Sequence, residues 1–158
     1  MITTIKFFQL FKDSVNKNSI SINNKYIYYL TGILCKNEKD LFEHLKDKLE
    51  FPDYFGWNWN ALIDCLSDFS WVLTNKLTIF ISDINLFLID EANLNKKNYF
   101  YKILFSIIVN RYKETIFEDP DEYVTLNLVF ITNSENEKLI DSLFKEYNVI
   151  QSEIDELL

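Results

Sequence analysis

The stretch Phe51-Pro-Asp-Tyr-Phe-Gly-Trp-Asn-Trp-Asn-Ala-Leu-Ile-Asp-Cys-Leu-Ser-Asp-Phe-Ser-Trp71 holds one of the two glycines and all three tryptophans of the chain. It describes a rigid aromatic loop that feeds a helix N-terminus. Asn58 is a good N-cap residue, because its short side-chain carbonyl can accept an orphan N–H of the first turn. Beyond it, Trp59, Leu62, Ile63 and Leu66 follow the i, i+3, i+4, i+7 spacing of one helix face, and the helix is predicted to run to about Phe69. Asn60, Asp64 and Ser67 form a polar stripe pointing away from Leu62 and Leu66. Aromatic residues beside a polar helical face have the makeup of a protein–protein hot spot. Three tryptophans that simply fill core remain the plainer alternative.

Upstream, Lys25-Tyr-Ile-Tyr-Tyr-Leu-Thr-Gly32 is β-branched and aromatic and predicts a strand. Asn37 to Leu49 predicts an amphipathic helix capped by Asn37, with Leu41, Leu45, Lys48 and Leu49 on one stripe and Pro52 as its stop. Downstream, Leu77–Ser82 is a nearly continuous apolar run, as for a strand covered on both faces. Ile84–Asp90 predicts a short helical segment, about Asn93 to Lys113 a long helix, and Val124–Ile131 a third strand. Ser134-Glu-Asn-Glu137 has the form of a capping box opening a last helix to about Tyr147. Residues 1–24 are undecided between helix and strand, and the acidic tail Asn148–Leu158 is ambiguous. Strands linked by helical crossovers favour a parallel sheet, so the expectation is an α/β fold: a small three-stranded parallel sheet with helices packed against it.

At 158 residues with 48% hydrophobic and 16% aromatic residues, the chain is expected to be a single domain that buries a real core. With 24 Asp+Glu against 16 Lys+Arg, the net charge is −8. That field repels phosphates, so nucleic acid is not an expected direct ligand, and a basic protein is a better partner. One histidine (His44) and two separated cysteines (Cys35 and Cys65) cannot build a Cys/His zinc site, and no cofactor is expected. The thiols suit small core fillers in a reducing compartment, and His44 suits a surface or boundary position rather than a ligand. The Phe7/Phe8/Phe11 cluster is interrupted by Gln and Lys and suits a core edge better than a membrane anchor. No 18-residue apolar stretch is present, which points to a cytoplasmic protein without membrane contact.

Pro52-Asp-Tyr-Phe-Gly56, then Asn58, Ala61-Leu62 and Asp64-Cys-Leu66, resembles the signature of the barstar-type ribonuclease inhibitors. The resemblance covers residues 25–131, strongly at 51–71 and by order of elements elsewhere. It leaves 1–24 as an N-terminal addition and 132–158 as a C-terminal helical addition. Members of that family block a small basic ribonuclease by inserting the second helix and its preceding loop into the active site, with an acid in the place of a substrate phosphate. The resemblance implies that Asp64 is that acid, and that Tyr54, Phe55, Gly56, Asn58 and Trp59 contact or support the enzyme. With Asn60, Ile63, Ser67 and Asp68 these make up the predicted partner-binding set. Gly56 is expected to allow either a close backbone approach or a positive φ.

Departures from the motif bear on the partner. Asn60 stands where the family usually has a second acid, with Asp68 one turn further on as a possible replacement. Ile63 stands where a Trp is common, and Trp57 has no counterpart. The implied role is a monomeric, cytoplasmic immunity protein that neutralises a ribonuclease toxin and does no chemistry of its own. An interaction module for a non-nuclease partner is the alternative. A small hydrolase built on Asp64 is disfavoured, since one His and no carboxylate pair at useful spacing leave it without an acid–base partner.

Overall fold

The computed structural model describes residues 2–11, 27–67, 71, 76–114, 123–148 and 151–152. In chain order they form β1 (Ile2–Phe11), β2 (Ile27–Thr31), α1 (Glu38–Lys48), α2 (Trp59–Ser67), β3 (Lys76–Ser82), α3 (Leu94–Glu114), β4 (Tyr123–Thr132), α4 (Glu137–Glu146) and β5 (Gln151–Ser152). The three expected strands are β2, β3 and β4, adjacent and parallel. The stretch left undecided at the N-terminus contains a strand. β1 pairs in parallel with β4 over its whole length, from Ile2↔Tyr123 to Phe11↔Thr132, and β5 adds two residues beside it. Among the described residues the sheet order is β2-β3-β4-β1-β5.

Strand alternation sorts the side chains. Leu30, Ile79, Ile81, Leu128 and Phe130 point into one cluster with the buried faces of all four helices. Tyr29, Phe80 and Val129 lie opposite, in lateral register across β2, β3 and β4, and Tyr29 stacks on Phe80 at 5.1 Å. Phe80 and Val129 are buried too, so the central strands are covered on both faces here, as their unbroken apolar runs require.

Asn37 caps α1 as expected, its side-chain oxygen accepting the Asp40 N–H at 2.9 Å. The stripe that α1 buries is Leu41, Phe42, His44 and Leu45, followed by Leu49, while Lys48 lies exposed. His44 is therefore a correction to the surface or boundary placement. It is 8% exposed, and its Nε2 accepts the backbone N–H of Thr31 at 3.3 Å. An acceptor at that spot completes the end of β2, which is why a polar ring sits on an otherwise apolar face.

The C-terminal ends of β2 and β3 are locked together. The Thr31 hydroxyl donates to Asp83 Oδ2 at 3.1 Å and the Ser82 hydroxyl to the same oxygen at 2.8 Å. A Cβ on Gly32 would lie 2.1 Å from the Asp83 carbonyl oxygen, so only glycine allows this approach. Cys35 and Cys65 are buried thiols, in keeping with core fillers, and burial pushes the Cys35 thiol up to about 12.

The last helix opens one residue away from the expected box. Asn133 Oδ1 accepts the N–H groups of Glu135 and Asn136, and Asn136 Oδ1 accepts the Asn133 N–H in return. The reciprocal pair is thus Asn133/Asn136 instead of Ser134/Glu137. Asn side chains serve both halves of this exchange, which closes the turn just before the helix, while Asn136 as the N-cap residue makes no side-chain capping bond to it.

Candidate functional site

Loop 50–58 and the first turns of α2 make the candidate surface. The loop is short of glycine, so packing defines its shape. Phe55 is 3% exposed and is held by Phe51 at 5.1 Å and edge-on by Phe42 at 6.1 Å. It anchors the loop to α1 from beneath the surface. Asn58 then closes the bend in two directions. Its Oδ1 accepts the Ala61 N–H at 2.9 Å, capping α2, and its Nδ2 donates to the Gly56 carbonyl at 2.9 Å. A Cβ on Gly56 would meet that Nδ2 at 3.1 Å, so the close-approach reading of this glycine holds. The positive-φ reading does not: the left-handed residue is its neighbour Trp57, with φ 55°.

Two of the three tryptophans are packing residues. Trp59 rests edge-on against Phe42 at 5.3 Å and Tyr99 at 5.3 Å, and its Nε1–H donates to Glu38 Oε2 at 2.8 Å. Trp71 lies edge-on to Phe51 at 5.7 Å, and its Nε1–H donates to the Leu49 carbonyl at 3.3 Å. Trp57 differs: it is 51% exposed, and Tyr54 of the same loop is 77% exposed.

Polar contacts among distant segments hold the start of α2 in place. Glu91 Oε1 accepts the Glu38 N–H at 2.7 Å, at the N-terminus of α1 where a carboxylate meets the positive end of the helix dipole. Lys96 reaches Glu38 at 3.0 Å and Glu91 at 3.3 Å. The Glu38 N–H, and then Lys96, hold the Glu91 carboxyl below its usual range, and the two carboxylates raise Lys96. None of Glu38, Glu91 and Lys96 is distinguishable by sequence pattern, since they lie on three separate segments.

The loop and helix enclose an open concavity of about 340 Å³. It gathers six of the ten predicted residues, Tyr54, Phe55, Gly56, Asn58, Asn60 and Asp64, together with Ala61 and Cys65. Asn60 and Asp64 are exposed on the same side of α2. Trp59, Ile63 and Ser67 are half-buried outside its wall, with Trp59 and Ile63 packed against the core. Asp68 lies outside the described residues. Among the described residues, no group of three or more His, Cys, Asp or Glu is placed to hold a metal ion. None of their helices is long and apolar enough to cross a membrane.

The chain is an α/β protein whose second helix and preceding loop place an exposed acid beside a shallow aromatic recess. The family model Barstar (barnase inhibitor) matches residues 26–108, and this chain belongs to that family. A relative in Bacillus subtilis, described as "Putative ribonuclease inhibitor YrdF", is 54% identical over 37 residues. That match spans 23% of this chain and 38% of the relative's length. A chain from the solved structure of Drosophila ORC bound to GC-rich DNA and Cdc6 aligns at 13% identity with a TM-score of 0.46. The alignment covers 96% of this chain and 49% of that one, a level at which neither fold nor function transfers.

Proposed function

We propose that this chain blocks the active site of a small basic ribonuclease toxin, acting as a cytoplasmic immunity protein that works as a monomer and without a cofactor. The observation that carries the reading is the exposed Asp64 carboxylate on the wall of the open concavity, two helical turns from the Asn58 cap and beside Asn60. A carboxylate presented this way can pair with the Arg, Lys and His side chains that normally hold a substrate phosphate. Tyr54, at the rim, adds apolar area and a hydroxyl at low entropic cost. The net charge of −8 speeds encounter with a basic enzyme at low salt. Ile63 and Ser67 stand at the edge of the contact, and Asp68 is assigned the charge that Asn60 lacks.

The neutral Asn60, where the family has an acid, favours a second reading in which the same surface serves a non-nuclease partner. Titrating the chain against a panel of small basic ribonucleases that includes barnase, with RNA cleavage followed in parallel, separates the two. Binding should abolish cleavage at one-to-one stoichiometry. Asp64→Ala should then weaken binding by about 2–5 kcal/mol, mostly as faster dissociation, with the melting temperature unchanged. Absence of binding across the panel rejects the inhibitor reading. A large loss of stability in Asp64→Ala would make Asp64 a structural residue.

A further inference from the structure

We infer that Trp57, which the family motif lacks, is a partner-contacting residue that selects which ribonuclease this chain accepts; the inference rests on the inhibitor reading above. Three properties of the residue point the same way. Its backbone is left-handed, φ 55°, a region that a bulky side chain enters only at a cost of roughly 1–3 kcal/mol. Neighbouring Gly56 could adopt that conformation freely and does not. Its side chain is 51% exposed, so folding recovers little of that cost by burial.

The ring is nevertheless held in one orientation. Phe55 lies 5.4 Å from it in a tilted arrangement, and the Lys46 ammonium stands 6.0 Å from its centroid, within range of a cation–π contact. Trp59 and Trp71 spend their indole N–H groups inside the fold, on Glu38 and on the Leu49 carbonyl. The Trp57 N–H has no hydrogen-bond partner among the described residues. A strained, exposed and pre-oriented aromatic with a spare donor stabilises a complex better than it stabilises the monomer.

Position and charge define what it would meet. Gly56 and Asn58 line the concavity and Trp57 between them does not, so the ring stands beside the recess, and an enzyme seated on Asp64 meets it where its contact extends past the rim. The matching feature is an apolar recess on the enzyme rim with an acceptor oxygen for Nε1–H. A carboxylate fits best there, because the Lys46 cation lies alongside. The surface is then divided: Asp64 faces enzyme cations, and Trp57 with Lys46 faces an apolar, acid-edged pocket.

The test uses the full chain, the Trp57→Gly and Trp57→Phe variants, and the same ribonuclease panel, by calorimetry at low and high salt and by thermal melting. Trp57→Gly should melt at or up to about 4 °C above the wild type, since left-handed strain is relieved. It should bind about 30-fold more weakly, as hot-spot aromatics do. That loss should be equal at both salt concentrations, whereas the loss in Asp64→Ala should shrink at high salt. Trp57→Phe should recover part of the affinity. A Trp57→Gly variant that binds like the wild type, or melts several degrees lower, overturns this inference alone. A wild type that binds no ribonuclease overturns the inhibitor reading and this inference with it.

Discussion

The indole Nε1–H of Trp59, in the first turn of α2, donates to Oε2 of Glu38, in the first turn of α1, at 2.8 Å. That contact joins the N-termini of two helices across 21 residues, and Lys96 of α3 closes on the same oxygen at 3.0 Å. The start of α2, where Asn60 and Asp64 project, is thus referenced to α1 and α3 and not only to its own loop.

Trp59→Phe keeps an aromatic ring beside Phe42 and Tyr99 and removes the N–H together with part of the indole's packing area. Glu38 retains Lys96, so no carboxylate is orphaned, and the cost should be about 1 kcal/mol. A melting-temperature drop of roughly 2–4 °C would match it. Ribonuclease binding should weaken several-fold with it; unchanged affinity would mean that Glu38 does not position the site.

Asn58 has two jobs that separate by substitution. Asn58→Ala loses the α2 cap and should cost about 1 kcal/mol in urea denaturation. Asn58→Asp keeps an acceptor for the Ala61 N–H, with a charge suited to the helix N-terminus, but loses the Nδ2 donation to the Gly56 carbonyl. It should therefore fold about as stably as the wild type yet bind a ribonuclease more weakly. Equal stability loss in both variants would place the weight on the Gly56 contact.

His44 predicts an acid limb to stability. Burial, then the Lys48 charge, lowers its pKa below the ordinary 6.5, against a smaller opposing pull from Asp47. A protonated ring would also turn an N–H toward the Thr31 N–H that Nε2 now accepts. As pH falls below about 6.5 the unfolded chain takes up this proton before the folded one. Stability from this group is therefore complete above that pH and declines beneath it. Urea midpoints between pH 8 and 5.5 should fall in the wild type and stay nearly flat in His44→Gln, whose amide oxygen can accept the same N–H. Parallel curves for the two proteins would reject the assignment.

Features set by neighbouring residues were legible. Asn37 and Asn58 cap the helices they precede, because an N-cap acts on N–H groups two or three residues away. The strands Ile27–Thr31, Lys76–Ser82 and Tyr123–Thr132 declared themselves as β-branched and aromatic runs. The motif from Pro52 to Leu66 placed the candidate surface, and six of its expected residues do meet at one concavity. The box at the last helix was misplaced by one residue, since Asn133 and Ser134 are both competent caps and only the backbone path chooses between them.

What local pattern could not contain are relations across long separations. β1 belongs beside β4, which lies some 120 residues later, and no spacing within Ile2–Phe11 encodes that pairing. His44 is buried where the end of β2 arrives opposite it, with the Thr31 N–H donating to its Nε2. Glu38, Glu91 and Lys96 become one network only when three segments meet. Trp57 and Trp59 are the same residue type two positions apart, yet one packs inside and the other faces solvent in a left-handed backbone. Sequence by itself determined the caps of α1 and α2, the strands β2, β3 and β4, and the motif, because these depend on interactions within a few residues. Tertiary structure alone decided the strand order, the buried histidine and which tryptophan faces solvent, because those depend on which distant atoms exclude water from each group.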